Sequence, residues 1–359
     1  MKNDGLHDEA ATAFDTMIAA AGDDPKQVAA LAGAAESLGH ADQSYPLAKR
    51  ARALAPHDAE IAIQTDAAFS GAVPQWHFGI IADRPRNAAF AEAIARAVTP
   101  GARVLEIGTG TGVLAMLAAR AGAETVATCE AVPAVADVAT AIVANNGLAD
   151  RVRVIGKMST DVDADADLGG RADVLIAEVV ANDLIGEGVL PTMEDAVARL
   201  LAPGGRVIPS HGQVRVALAE WAGWDRGQLG EVCGFDLSAF NILAHRPLMV
   251  YGDDNRLELR SAPATLFAFD FATGGPWPAA RATAEVATSG GRANGVLLWM
   301  RIDLDDETAL EIAPGTRSSW AMLFHPLPSA LQVREGGSVR IEGAHDARNV
   351  RVWLGDNGG

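Results

Sequence analysis

The chain has 359 residues, nearly half of them hydrophobic, and a net charge of -17 at pH 7. That length suffices for two domains and a small third, each with a real core. The negative charge argues against general binding to nucleic acid or to an anionic membrane surface.

Cys129 and Cys233 are the only cysteines. Neither has a partner at zinc spacing or in a CxxC pair, so no metal site is expected and a reducing, cytoplasmic location is. The first residues, Met1 to Glu9, lack the apolar run of a signal peptide. No stretch is long and apolar enough to span a bilayer as a helix.

In chain order, residues 8 to about 62 read as short, alanine-rich amphipathic helices. Leu31, Gly39, Ala51 and Pro56 fall where a tetratricopeptide repeat places its leucine, turn glycine, packing alanine and closing proline. Ala13, Ala20 and Pro25 resemble the tail of an earlier repeat, and a plain helical hairpin fits as well. Asp83-Arg-Pro-Arg-Asn87 reads as a helix start, with Pro85 in the first turn and an apolar stripe of Phe90, Ile94 and Ala97 behind it.

From residue 101 strands and helices alternate. Strands are expected at Arg103 to Ile107, Glu124 to Cys129, Arg151 to Ile155, Asp173 to Ala177 and Gly205 to Ile208, with helices from Thr111 and through Val143. Short buried strands separated by helices imply an α/β, doubly wound parallel sheet. After Pro209 the period changes to two, at Gln213 to Ala217, Ala264 to Phe271, Val296 to Asp303, Trp320 to Phe324 and Val339 to Ile341. These runs predict an antiparallel barrel or sandwich. A partly helical insertion, Trp221 to Leu243, interrupts them. The expected organisation is a helical region over 1–62, a cofactor domain over 63–209 and a β domain over 210–359.

Two features carry chemistry. The first is Glu106-Ile-Gly108-Thr-Gly110-Thr-Gly112, after the first strand and opening a helix. Glycines there let backbone approach a ligand closely. A dinucleotide fingerprint needs a third glycine where Val113 stands. The acid before the loop suits a cofactor with an ammonium, so S-adenosylmethionine fits better than a nicotinamide dinucleotide. Glu130 ends the second strand, where a carboxylate can accept both ribose hydroxyls. The second feature is Glu178 and Glu187, nine residues apart across a loop that follows an apolar strand. Two facing carboxylates suit a planar bidentate cation, and guanidinium is the obvious one.

With that pair, the chain resembles the protein arginine methyltransferases from about Val73 to Leu354. Ala177-Glu-Val-Val-Ala-Asn-Asp-Leu-Ile-Gly-Glu-Gly-Val-Leu190 is similar to their double-glutamate loop. Val73-Pro-Gln-Trp-His-Phe78 with Asp83 and Arg86-Asn87 is similar to their cofactor-covering helix, and Gly156-Lys-Met-Ser-Thr160 to their adenine-contacting segment. One branch of the family carries a tetratricopeptide-like N-terminus. The resemblance implies that Arg86 binds the cofactor carboxylate and that Gly108 and Gly110 line its methionine end. It further implies ribose contact for Glu130, adenine packing for Met158 and a guanidinium clamp for Glu178 and Glu187. His77 and Trp320 would lie at the acceptor pocket. The implied partners are an arginine-containing protein or peptide and a second copy of the chain, with Trp221 to Leu243 as the dimerisation arm. The family's Thr-His-Trp loop reads Ser318-Ser319-Trp320 here, without the histidine. A small guanidine or amine as acceptor, or an inactive scaffold, are the alternative readings.

Overall fold

A computed structural model describes residues 4–35, 37, 38 and 40–355. They fall into two compact units, one running up to His77 and including Val132–Val138, the other comprising Phe78–Ala131 and the chain from Ala139 onward.

The first unit holds α1 (Asp4–Ala21), α2 (Pro25–Ala34), α3 (Ala41–Leu54), α4 (Ala59–Gln64) and α5 (Asp66–Ser70), and the start of α6 (Trp76–Ile81). Pro25 opens α2 behind Asp24, whose carboxylate accepts the Lys26 and Gln27 amides. Phe14, Val28, Leu31, Leu47, Ala48, Ala51 and Ile61 form its core. Leu31 and Ala51 thus pack inward, while Gly39 lies outside the described residues.

The second unit begins with α7 (Arg84–Ala97), capped by Asp83. It continues through β1 (Arg103–Ile107), α8 (Val113–Ala121), β2 (Thr125–Cys129), the part of α9 (Pro133–Asn145) from Ala139 onward, β3 (Val152–Ile155), β4 (Ala172–Ala177), α10 (Val189–Arg199) and β5 (Leu201–Ile208). These strands make a parallel sheet in the order β3-β2-β1-β4-β5. Order reverses beside β1, so β1 and β4 flank the crevice where such sheets bind ligands, at the carboxyl ends of the strands.

Then come β6 (His211–Trp221), α11 (Ala222–Gly227), β7 (Glu231–Val232), β8 (Phe235–Asp236), β9 (Leu248–Val250), β10 (Leu257–Leu259), β11 (Ala264–Asp270), β12 (Ala280–Asp303), β13 (Ala309–Glu311), β14 (Met322–His345) and β15 (Val350–Leu354). All except the β7–β8 hairpin join one antiparallel, barrel-like sheet with the path β10-β6-β12-β14-β15. The fold is therefore the α/β doubly wound domain followed by a β-barrel-like domain that the sequence implies.

Two strands are far longer than their sequence pattern. Only Val296 to Asp303 marked β12, and only its two ends marked β14. β12 shifts register between Ala287 and Ser289 and between Ala293 and Gly295, and each bulge breaks the period of two. β14 contains Pro326 and Pro328, which read as strand breakers. Pro326 sits opposite Gly295, beside the second bulge, where proline is tolerated in a sheet.

Candidate active site

The cofactor side is built on the end of β1. Gly108 has φ +86, and a Cβ there would stand 2.9 Å from a Val179 methyl, so glycine is needed for both backbone and space. The amides of Gly108 and Thr109 both donate to Cys129 O, at 3.1 and 3.2 Å, fixing the loop to the end of β2. Around Gly110 the space is open, and its amide donates to Glu130 Oε2 at 3.1 Å.

Glu106 departs from the expectation that it faces a cofactor ammonium. It is 1% exposed. Thr128 Oγ1 donates to its Oε2 at 2.6 Å, and the Thr128 and Thr109 hydroxyls share a 2.7 Å hydrogen bond. β1 is buried at every residue from Val104 to Ile107, so this side chain lies in the core whichever face it takes, and there it braces the loop. Burial pushes its carboxyl up to about 8, against the opposing pull of Thr128 and Arg86. Met158, just after β3, is exposed and offers an apolar surface.

The acceptor side is built on the end of β4. Ile107 and Ala177 pair across β1 and β4, so Gly108 and Glu178 leave the sheet side by side. Glu178 forms an ion pair and hydrogen bond with Arg86 Nη2. Arg86 is 5% exposed, donates from Nη1 to Asn87 Oδ1 at 2.7 Å, and keeps a buried Nε with no hydrogen-bond partner among the described residues. A guanidinium half satisfied by protein, at the mouth of a glycine loop, fits a ligand carboxylate. Burial pushes the Glu178 carboxyl up, and Arg86 offsets only part of that.

Glu187 is exposed, with no hydrogen-bond or ion-pair partner among the described residues. Its neighbours are acidic. Desolvation first, then the charges of Glu178 and Asp183, hold its carboxyl up to about 7. Asp183 shapes the loop between the glutamates: its Oδ1 accepts the Gly186 amide at 2.8 Å, and the Val350 amide also bonds to its carboxylate.

Trp320 does not present an open face to an acceptor. It is 3% exposed and packs near Arg86, whose Cζ lies 5.8 Å from its ring. A cation over the ring is there, but it is the cofactor-side arginine. His77 falls in the first compact unit, stacked on Trp76 at 4.0 Å; the other predicted residues belong to the second.

Sequence reasoning missed the supports. Asp83 accepts the Arg86 amide on Oδ1 at 3.1 Å and both the amide and hydroxyl of Ser319 on Oδ2. Asn182 Oδ1 accepts the Ala321 amide at 2.9 Å. Asp83 carried a signal as a helix cap; Asn182 carried none, because its partner is 139 residues away.

A glycine-loop Rossmann-like domain that runs into an antiparallel barrel, with paired glutamates at the sheet's switch point, defines a methyltransferase. Residues 88–212 match the family described as Ribosomal protein L11 methyltransferase (PrmA). The chain is 36% identical over 331 residues to an Arginine N(omega)-methyltransferase of Streptomyces achromogenes subsp. streptozoticus, covering 90% of this chain and 91% of that one. It is 31% identical to Protein arginine N-methyltransferase 7 of Danio rerio over 76% of its length, and spans only 44% of that protein. The fold matches the Trypanosoma brucei PRMT1 enzyme-prozyme heterotetrameric complex with AdoHcy, with a TM-score of 0.67 and 21% identity over 77% of this chain and 91% of that one. Arabidopsis thaliana Protein Arginine Methyltransferase 10 matches with a TM-score of 0.65 and 21% identity, over 80% and 93%. The chain belongs to the arginine N-methyltransferase family, and S-adenosylmethionine is its methyl donor.

Proposed function

We propose that the chain methylates a guanidino nitrogen of arginine presented by a protein or peptide. The observation that carries this reading is the division of labour at the switch point. Arg86, buried with an unpartnered Nε, pairs with Glu178, while Glu187 stands unpaired nine residues on.

The cofactor supplies an electrophilic sulfonium methyl. Arg86 would hold its carboxylate, the Gly108–Gly110 backbone its methionine end, Glu130 its ribose and Met158 its adenine. The residues on the acceptor side do the rest. A guanidinium is a poor nucleophile because its lone pairs are delocalised. Glu178 and Glu187 can grip it from two sides, drawing positive charge away from the nitrogen aimed at the methyl. As the nitrogen–carbon bond forms and the carbon–sulfur bond breaks, one proton must leave the nitrogen. Glu187 is the better acceptor for it: Glu178 already has one oxygen on Arg86, and a carboxyl near 7 suits a base at neutral pH. Trp320 and the barrel segment around it keep Arg86 dry and in place.

A second reading, free arginine as acceptor, is favoured by the Streptomyces relative. Its name specifies arginine without protein, and 91% of its length is matched. We further propose a homodimer formed through the segment from α11 to Leu243, where Phe235, Phe240, Ile242 and Leu243 are exposed together. Two unpaired cysteines support a cytoplasmic location.

The test is incubation with methyl-labelled S-adenosylmethionine and, in parallel, host lysate, an arginine peptide and free arginine, with Glu187→Gln as control. Label recovered as methylarginine after protein hydrolysis, and lost in the variant, supports the first reading. Label only in free arginine supports the second. Cofactor binding with no methylarginine in any arm overturns both.

A further inference from the structure

The acceptor loop has a cationic neighbour that the clamp and the cofactor do not use. Arg348 lies in the turn between β14 and β15, where Asp346 Oδ1 accepts the amides of Arg348 and Asn349 at 2.9 and 2.7 Å. This turn leans on the glutamate loop. Asp183 takes the Val350 amide as well as that of Gly186. The Arg348 guanidinium reaches the same loop: its Nη1 lies 3.4 Å from the position a Cβ would take on Gly188. Gly188 directly follows Glu187, and adjacent Cα atoms are about 3.8 Å apart, so the guanidinium lies within a side chain's length of the clamp. Arg348 is exposed, and among the described residues no carboxylate pairs with its guanidinium.

Charge gives this placement a meaning. Glu178, Asp183 and Glu187 make the loop acidic, and Arg86 is already taken by Glu178. Such a site welcomes the guanidinium end of an acceptor and repels any carboxylate the acceptor carries nearby. A guanidinium at the rim reverses that repulsion locally and can bind a carboxylate through two parallel hydrogen bonds.

We propose that Arg348 is a specificity residue that reads a carboxylate on the acceptor, about one arginine side chain away from the nitrogen being methylated. Two sources present that chemistry: the α-carboxylate of free arginine, and an acidic residue beside the arginine in a peptide. The inference rests on the arginine methylation proposed above.

The experiment compares kcat/KM for two pairs of acceptors, in the full-length protein and in Arg348→Gln and Arg348→Lys. One pair is arginine against agmatine, which lacks the carboxylate. The other is a peptide with aspartate beside its arginine against the same peptide with asparagine. The wild type is expected to favour the carboxylate-bearing member of at least one pair about fivefold or more, the scale of an exposed charge pair. Arg348→Gln should collapse that preference, Arg348→Lys should keep part of it, and added salt should weaken it. The pair that shows the preference identifies the source of the carboxylate. A preference unchanged in Arg348→Gln, or no preference in an active wild type, overturns the role of Arg348 alone. A wild type that binds cofactor yet methylates none of the four acceptors overturns the activity, and this inference with it.

Discussion

Asp83 and Ser319 meet at a single carboxylate oxygen, Asp83 Oδ2, which accepts the Ser319 amide at 3.0 Å and its hydroxyl at 2.8 Å. The other oxygen caps α7 at Arg86. Two residues along, Ala321 donates to Asn182 in the glutamate loop. One short stretch of the barrel domain therefore holds both the helix that carries Arg86 and the loop that carries Glu178. Serine does this where the resemblance expects histidine, without introducing a titratable ring.

Ser319→Ala removes one charge-assisted hydrogen bond and leaves the backbone one. Such a bond contributes about 1.5–3 kcal/mol at most. Weakened cofactor affinity, by about 3- to 10-fold in calorimetric titration, is the expected result. Asp83→Ala should cost more, because it also removes the helix cap, a loss of about 1 kcal/mol. Equal effects of the two variants would argue that the Ser319 hydroxyl bond alone matters and that the cap adds nothing.

The two glutamates should separate when mutated, although they look equivalent in sequence. Glu187→Gln should lower kcat by about 100-fold or more while leaving cofactor affinity within about threefold, since the side chain touches neither Arg86 nor the glycine loop. Glu178→Gln should lower kcat and also change cofactor affinity, because it strips a buried arginine of its counter-charge. Single-turnover rates and cofactor Kd measured for both variants decide this.

Glu187 also sets a pH dependence. A carboxyl held up to about 7 is substantially protonated below that pH, and then it can neither grip a guanidinium nor take its proton. In the free enzyme kcat/KM should therefore rise with pH through about 7. A bound guanidinium favours the ionised form, so the same limb in kcat should shift to lower pH. Glu187→Gln should lack this limb in whatever activity it keeps.

Glu106 makes the opposite kind of contribution, to stability. Its carboxyl sits at about 8 in the folded protein against an ordinary value of 4.5. The folded state therefore holds this proton more tightly than the unfolded chain. Stability falls as pH rises from about 4.5 to about 8. Glu106→Gln can still accept the Thr128 hydroxyl and removes the cost of ionising. Its melting temperature should decline less across that range than the wild type's, as thermal unfolding at several pH values would show.

The candidate site residues were legible because each sits at the end of a strand beside a glycine or in a short local pattern: Gly108 and Gly110, Glu130, and Glu178 with Glu187. Their supports were not. Ser319 and Asp83 are 236 residues apart, and Asn182 and Ala321 are 139 apart. No local period records contacts made when two domains close on each other. Glu106 misled for a related reason. An acid before a glycine loop looks available to a ligand, but β1 is buried on consecutive residues and so on both faces, and the partner Thr128 lies on the next strand.

Gly108 is where backbone and side-chain constraints coincide, so they can be tested together. Gly108→Ala places a Cβ 2.9 Å from Val179 Cγ1 and asks alanine to keep φ +86. The left-handed conformation costs about 1–2 kcal/mol and the crowding about 1–3 kcal/mol. Cofactor affinity should fall by about 100-fold, with a clear loss of melting temperature. Val179→Ala alone should be mild, because Val179 is only partly buried. The double variant removes the crowding and leaves the backbone penalty. It should recover about half of the lost free energy, and a double-mutant cycle on cofactor Kd measures that fraction. Full recovery would mean that the loop can relax its backbone. No recovery would mean that the left-handed turn, and not the contact with the glutamate strand, makes glycine necessary.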